Sequence, residues 1–147
     1  MSKHIAKIVW NKSTESFKYN DYNREHDWHF DNGEIVKATA SPQFKGKPEY
    51  VDPEEAFVAA LSSCHMLTFL AICSRKNIVV KSYDDEAEGF LELNDKKKLV
   101  LTRVNLNPKV EFETEIDFEL LKEIHHQSHN DCFLANSVKT EIEVNIK

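Results

Sequence analysis

The sequence has no internal repeats, no low-complexity segments and no long linkers, so its 147 residues read as one ordinary domain, or as two small halves sharing one core. It has no excess of positive charge. The formal charge of −6 argues against a general surface for nucleic acid or an anionic membrane. The opening Met-Ser-Lys-His-Ile-Ala-Lys lacks the apolar run of a signal peptide, and a cytoplasmic protein is expected. Cysteine is sparse: there are three, an odd number, and none has CxxC spacing. Neither a disulfide scaffold nor a zinc ribbon fits that pattern. In a reducing compartment, conspicuous cysteines point first to redox or catalytic chemistry. What is plentiful is apolar residue, 41% of the chain, enough to fill a core.

One stretch lacks charge altogether. Residues 56–74 contain no Asp, Glu, Lys or Arg. Asp52 ahead of it is a good N-cap, Pro53 suits the first helical position, and Glu54 and Glu55 complement the helix dipole. Arg75 and Lys76 do the same at the other end. These signals predict one helix of roughly 24 residues, about 36 Å long. A helix that is apolar all round is buried in a membrane or in protein. Its length would allow a membrane span, but Ser62, Ser63, Cys64, His65 and Thr68 crowd its centre. The better reading is a helix enclosed by sheets and a second chain. Ala56, Ala60 and Ser63 form a small-residue stripe suited to a symmetric helix–helix contact. Cys73 reads as a buried structural cysteine. Cys64 differs, because hydroxyls and an imidazole surround it.

The remainder reads as short strands and lesser helices. Strands are expected at residues 5–10, 25–30 and 34–40, the last two joined at Asp31-Asn32-Gly33. Residues 41–50 are a loop holding Pro42, Gly46 and Pro48. After the long helix, residues 78–81 are extended. Residues 83–93 and 99–107 form a second hairpin, with further alternation at Val110 and Phe112. Thr114 is placed to cap a helix over 115–127. A short helical turn follows within 130–138, and 140–146 is a final strand. Strand runs interrupted by helices, without regular βαβ alternation, indicate α+β.

A second cluster is His125-His126-Gln127-Ser128-His129-Asn130-Asp131-Cys132. His125 and His129 are four apart, and with Asp131 or Cys132 they offer a conceivable metal site. The plainer reading is the polar end of a surface helix that stops near Ser128. Cys132 precedes Phe133-Leu134-Ala135, an apolar turn expected to dock on the core near the long helix. Cys64 and Cys132 are then a candidate pair of attacking and resolving thiols.

Asp52-Pro53-Glu54, followed by Ala59-Ala60 and Cys64, resembles the first cysteine motif of the OsmC/Ohr family, the osmotically inducible and organic hydroperoxide resistance proteins. Their usual form is Asn-Pro-Glu, small residues, then cysteine, with the glutamate ten positions before it. Cys132, ahead of a final strand, resembles their second cysteine. In many members proline follows that cysteine; here Phe133 does, and His65 follows Cys64. The order of elements extends the resemblance over nearly the whole chain. It implies an α+β fold in which antiparallel sheets wrap a long central helix, with residues 1–147 a single domain. Residues 1–50 would be its N-terminal β part and 51–147 its helix-containing part.

The resemblance also implies an intertwined homodimer and a thiol peroxidase that needs no metal, haem or other cofactor. Cys64 would attack the O–O bond of an organic hydroperoxide and become a sulfenic acid. Cys132 would condense with it to a disulfide, which a cytosolic dithiol reduces, a lipoyl group in some members. A cation is needed to lower the pKa of the attacking thiol. The family places its activating arginine ahead of the long helix, where Arg24 alone lies; Arg75 and Arg103 come later. The orienting glutamate matches Glu54. Ten helical residues put Glu54 about 15 Å from Cys64 along the axis, so the two would serve one site from different chains. Phe57, Leu61, Met66 or Phe133 would supply an apolar substrate pocket. Two rival readings stay open: a small-molecule binding protein with Cys64 inert, and a metalloprotein using His125, His129 and Cys132.

Overall fold

The computed structural model describes all 147 residues as two compact units, Met1–Ala56 and Phe57–Lys147. The first holds an antiparallel meander of β1 (Ala6–Val9), β2 (His26–Phe30) and β3 (Ile35–Ala38). Its expected strands are present, each shorter than the alternating pattern. Gly33 turns the β2–β3 hairpin at φ +92°, a conformation that suits a residue without Cβ. Its N–H donates to the Phe30 carbonyl at 3.1 Å, and Phe30 N–H donates to Glu34 O at 2.9 Å. The loop at 41–50 contains one 3₁₀ turn, Pro42–Phe44.

The long helix α1 (Pro53–Arg75) starts where its signals place it. The Asp52 carboxylate accepts from Glu55 N–H at 2.8 Å, and the Glu55 carboxylate accepts from Asp52 N–H at 3.1 Å. This reciprocal box satisfies two donors at the helix entry and sets its first residue.

The second unit carries β4 (Val80–Asp85), β5 (Glu88–Leu93), β6 (Leu99–Leu106), β7 (Pro108–Phe112), α2 (Phe118–Asp131) and β8 (Glu141–Val144). Strands β4 and β7 form one antiparallel ribbon; β5, β6 and β8 form a sheet in that order. Two expectations are corrected here, and the final strand is present with a direction that alternation does not give. The strand expected over 83–93 is two strands in different sheets. The chain changes sheet after Asp85, whose carboxylate accepts from Asn107 N–H at 2.6 Å and from the Ser62 hydroxyl. Alternation cannot show that change, because both strands have period two. The last strand runs parallel to β6, with Val104 opposite Ile142, because α2 carries the chain back before β8. α2 begins at Phe118 rather than 115, which leaves Ile116 to pack on the core, and it runs past Ser128 to Asp131.

Two core clusters hold this unit. Phe69, Ile72 and Cys73 of α1 meet Ile124 of α2, and Leu61 meets Val104 and Leu106 of β6. α1 lies hard on β5: a Cβ at Gly89 would come within 2.4 Å of Val58 Cγ2. Gly89→Ala should therefore destabilise the protein by about 1–3 kcal/mol, read as a lower urea midpoint with an unchanged slope.

α1 is long and apolar enough to cross a membrane by length and composition. Here it packs on protein, but only in part. Leu61, His65, Phe69, Ile72 and Cys73 are its buried residues, while Ala59, Ala60, Ser63, Leu67 and Ala71 face outward. The enclosure expected of the chain's own sheets is thus one-sided.

Candidate active site

α1 and α2 place two thiols face to face. Cys64 sits mid-helix and half-buried. Cys132 is the C-cap of α2, buried, and tied back through its N–H to Ser128 O at 2.9 Å. The Cys132 thiol points at Cys64, with the sulfurs 2.7 Å apart and both cysteines free. Ala135 N–H donates to Cys132 Sγ at 3.4 Å, and Asn136 Nδ2 donates to Cys132 O at 3.0 Å. Burial first, and then the hydrogen bond to Cys64, push the Cys132 thiol pKa up. A buried protonated thiol therefore faces a more accessible sulfur, close enough for a disulfide after a small shift.

The turn after Cys132 does not dock as expected. Phe133 is 84% exposed, and α2 itself carries Cys132 inward on the face of Ile124 and Ser128. The expected apolar pocket is also corrected in part: Leu61 and Phe57 are spent in the core cluster with Val104 and Leu106.

A pair of hydrogen-bonded imidazoles joins the same two helices. His65 and His125, each 1% exposed, share a hydrogen bond between Nε2 and Nδ1 at 3.0 Å, with ring planes 6° apart. Phe69 stacks on His125 at 4.4 Å. Either tautomer leaves His125 Nε2 buried without a partner, at a cost of about 1–3 kcal/mol. Burial depresses both pKa values to about 4; the nearby His129 adds to this for His65, and His65 does so for His125. Sequence reasoning weighed His125 with His129 and missed its pairing with His65. The available signal was a histidine inside an otherwise uncharged helix. His125 and His129 do share α2, but no three His, Cys, Asp or Glu side chains are arranged to hold a metal ion.

Arg24 and Glu54 belong to the first unit. Arg24 precedes β2 and is only 8% exposed. Its Nη1 donates to Tyr22 O at 2.5 Å and its Nη2 to Tyr19 O, with the guanidinium 3.6 Å above the Tyr22 ring. With Trp10, Phe17 and Tyr22 it lines a cavity of about 380 Å³. Glu54 is half-exposed in the first turn of α1, and no ion pair joins it to Arg24.

The fold has known counterparts. The family model described as OsmC-like protein matches residues 46–147. The chain belongs to the OsmC-like family. An OsmC-like protein of unknown function from Vibrio cholerae O1 biovar eltor is 44% identical, with 100% of each chain covered and a TM-score of 0.96. An organic hydroperoxide resistance protein from Elizabethkingia anophelis shares the fold at 17% identity, over 98% of this chain and 93% of that one, with a TM-score of 0.75. The organic hydroperoxide resistance protein OhrB of Bacillus subtilis shares it at 14% identity, over 97% and 98%, with a TM-score of 0.65. No match was found among proteins of curated function. The OsmC-like fold is thus α+β with antiparallel sheets and one parallel pair.

Proposed function

We propose that this OsmC-like chain is a cytoplasmic, homodimeric thiol peroxidase that reduces organic hydroperoxides. The observation that carries the reading is the Cys64–Cys132 pair at 2.7 Å. Two relatives of the same fold are called organic hydroperoxide resistance proteins, which supports it. The Cys64 thiolate attacks the distal oxygen of R–O–O–H. The S–O bond forms, the O–O bond breaks, and the departing alkoxide takes a proton to leave as alcohol. The Cys132 thiol then attacks the sulfenic sulfur, and its proton leaves with the hydroxyl as water. An external dithiol, such as a lipoyl group, reduces the disulfide by exchange.

Arg24 is proposed as the cation that favours the Cys64 thiolate and Glu54 as its orienting carboxylate. In the single chain the guanidinium is held by the Tyr19 and Tyr22 carbonyls, so this role means exchanging those partners. The bare face of α1 supports the dimer. Ala60 and Ser63 would let a second α1 approach closely, and Leu67, 60% exposed, would be covered. Leu67→Glu should then convert the dimer to monomers, read by light scattering. Because α1 is continuous, Glu54 would serve its partner's site, and the monomer should lose activity together with assembly.

The test is consumption of cumene hydroperoxide with dithiothreitol as reductant. Turnover that exceeds that of dithiothreitol alone supports the reading. No turnover, with a ligand bound and Cys64 unmodified, would favour the binding protein.

A further inference from the structure

Two polar contacts join α1 to α2. One is the thiol pair, and the other is the buried hydrogen bond between His65 and His125. The rest of that contact is apolar, through Phe69, Ile72 and Ile124. Apolar side chains set a helix crossing through shape complementarity, while the hydrophobic driving force itself is not directional. A hydrogen bond between two rigid rings is directional, and it fixes both the register and the rotation of each helix.

The pair sits where that matters. His65 follows Cys64 directly on α1. His125, Ser128 and Cys132 lie on one buried face of α2, two turns apart from first to last. The arrangement leaves the His125 Nε2 orphaned, a standing cost that a phenylalanine of similar shape would remove. In some proteins a buried polar pair kept at a cost in stability specifies one arrangement of the elements it joins.

We infer that His65 and His125 are a positioning pair that holds α2 in register on α1, keeping the Cys132 thiol opposite Cys64 for disulfide formation. This rests on the peroxidase reading and adds a residue pair whose hydrogen bond is to each other and not to either thiol. The pair acts on the second step only. Attack on the hydroperoxide needs Cys64 alone, whereas condensation needs two sulfurs aligned, and a misplacement of about 1 Å can slow such a step about 100-fold.

The experiment compares wild-type protein with His125→Phe and, from the other side of the same bond, His65→Phe. Each is reduced and mixed with one equivalent of cumene hydroperoxide. Sulfenic acid at Cys64 is followed by trapping with dimedone, and disulfide formation by quenched mass spectrometry. The expected result is sulfenic acid formation within about twofold of wild type and condensation slowed at least about tenfold. The urea midpoint should change little in His125→Phe, because loss of the orphaned His125 Nε2 is offset by leaving His65 Nε2 without its partner. A merely structural role would lower stability and slow both steps together. Condensation at the wild-type rate in either folded variant overturns the inference. Wild-type protein that forms neither sulfenic acid nor the Cys64–Cys132 disulfide overturns instead the peroxidase reading beneath it, so the two failures are distinguishable.

Discussion

Replacing Cys64 by serine should abolish hydroperoxide consumption, with a loss on the order of 10³-fold or more, as when a catalytic nucleophile is removed. The fold should survive, because Cys64 is half-buried and serine is nearly isosteric. Cys132→Ser should behave differently. It keeps the first step and stops there, leaving a sulfenic acid that a second equivalent of peroxide drives to sulfinic acid. The asymmetry follows from the site. Cys64 is the more accessible sulfur, while Cys132 is buried with its thiol pKa pushed up. Cumene hydroperoxide consumption and intact mass separate the two variants. Equal activity loss without sulfenic acid in either one would remove the division of roles.

The second large effect is acid destabilisation. His65 and His125 have folded pKa values near 4, below the ordinary 6.5, because burial disfavours the imidazolium. The unfolded chain therefore takes up protons between about pH 6.5 and 4 that the folded chain refuses, and stability falls with pH across that window. A shift of this size corresponds to on the order of 3 kcal/mol for each ring. Two such rings reach a large share of a typical domain's stability. The urea midpoint of the wild-type protein should drop steeply from pH 7 to pH 4.5. In a His65→Leu/His125→Phe double variant it should drop far less. Parallel curves for the two proteins would mean that the pair is not the acid-labile element.

Local signals were readable in the sequence where neighbours in the chain decide the outcome. Asp52, Pro53 and Glu55 set the start of α1, and Asn32-Gly33 sets the first hairpin. The candidate pair of Cys64 and Cys132 came from an apolar turn expected to dock beside α1, and the family resemblance agreed with it; the turn stays exposed, and α2 carries Cys132 inward instead. What was not legible depends on distant partners. The break between β4 and β5 is made by Asp85 bonding Asn107 and Ser62, more than twenty residues away. The parallel placement of β8 is decided by β6, and period-two alternation is the same for either direction. Thr114 looked like a cap, but Ile116 gains more by packing on the core than by entering the helix. His65 and His125 are 60 residues apart, so nothing local announces their bond. Arg24 was singled out only by its place ahead of α1, and nothing local announced its seat on Tyr22.

The central claim is that Cys64 and Cys132 form one redox centre. The most direct measurement is intact-mass analysis of reduced protein after one equivalent of cumene hydroperoxide, with peptide mapping of any disulfide. The account predicts loss of two hydrogens, mapped to Cys64–Cys132 and absent in Cys64→Ser. Protein that emerges with unchanged mass and both thiols free would contradict it.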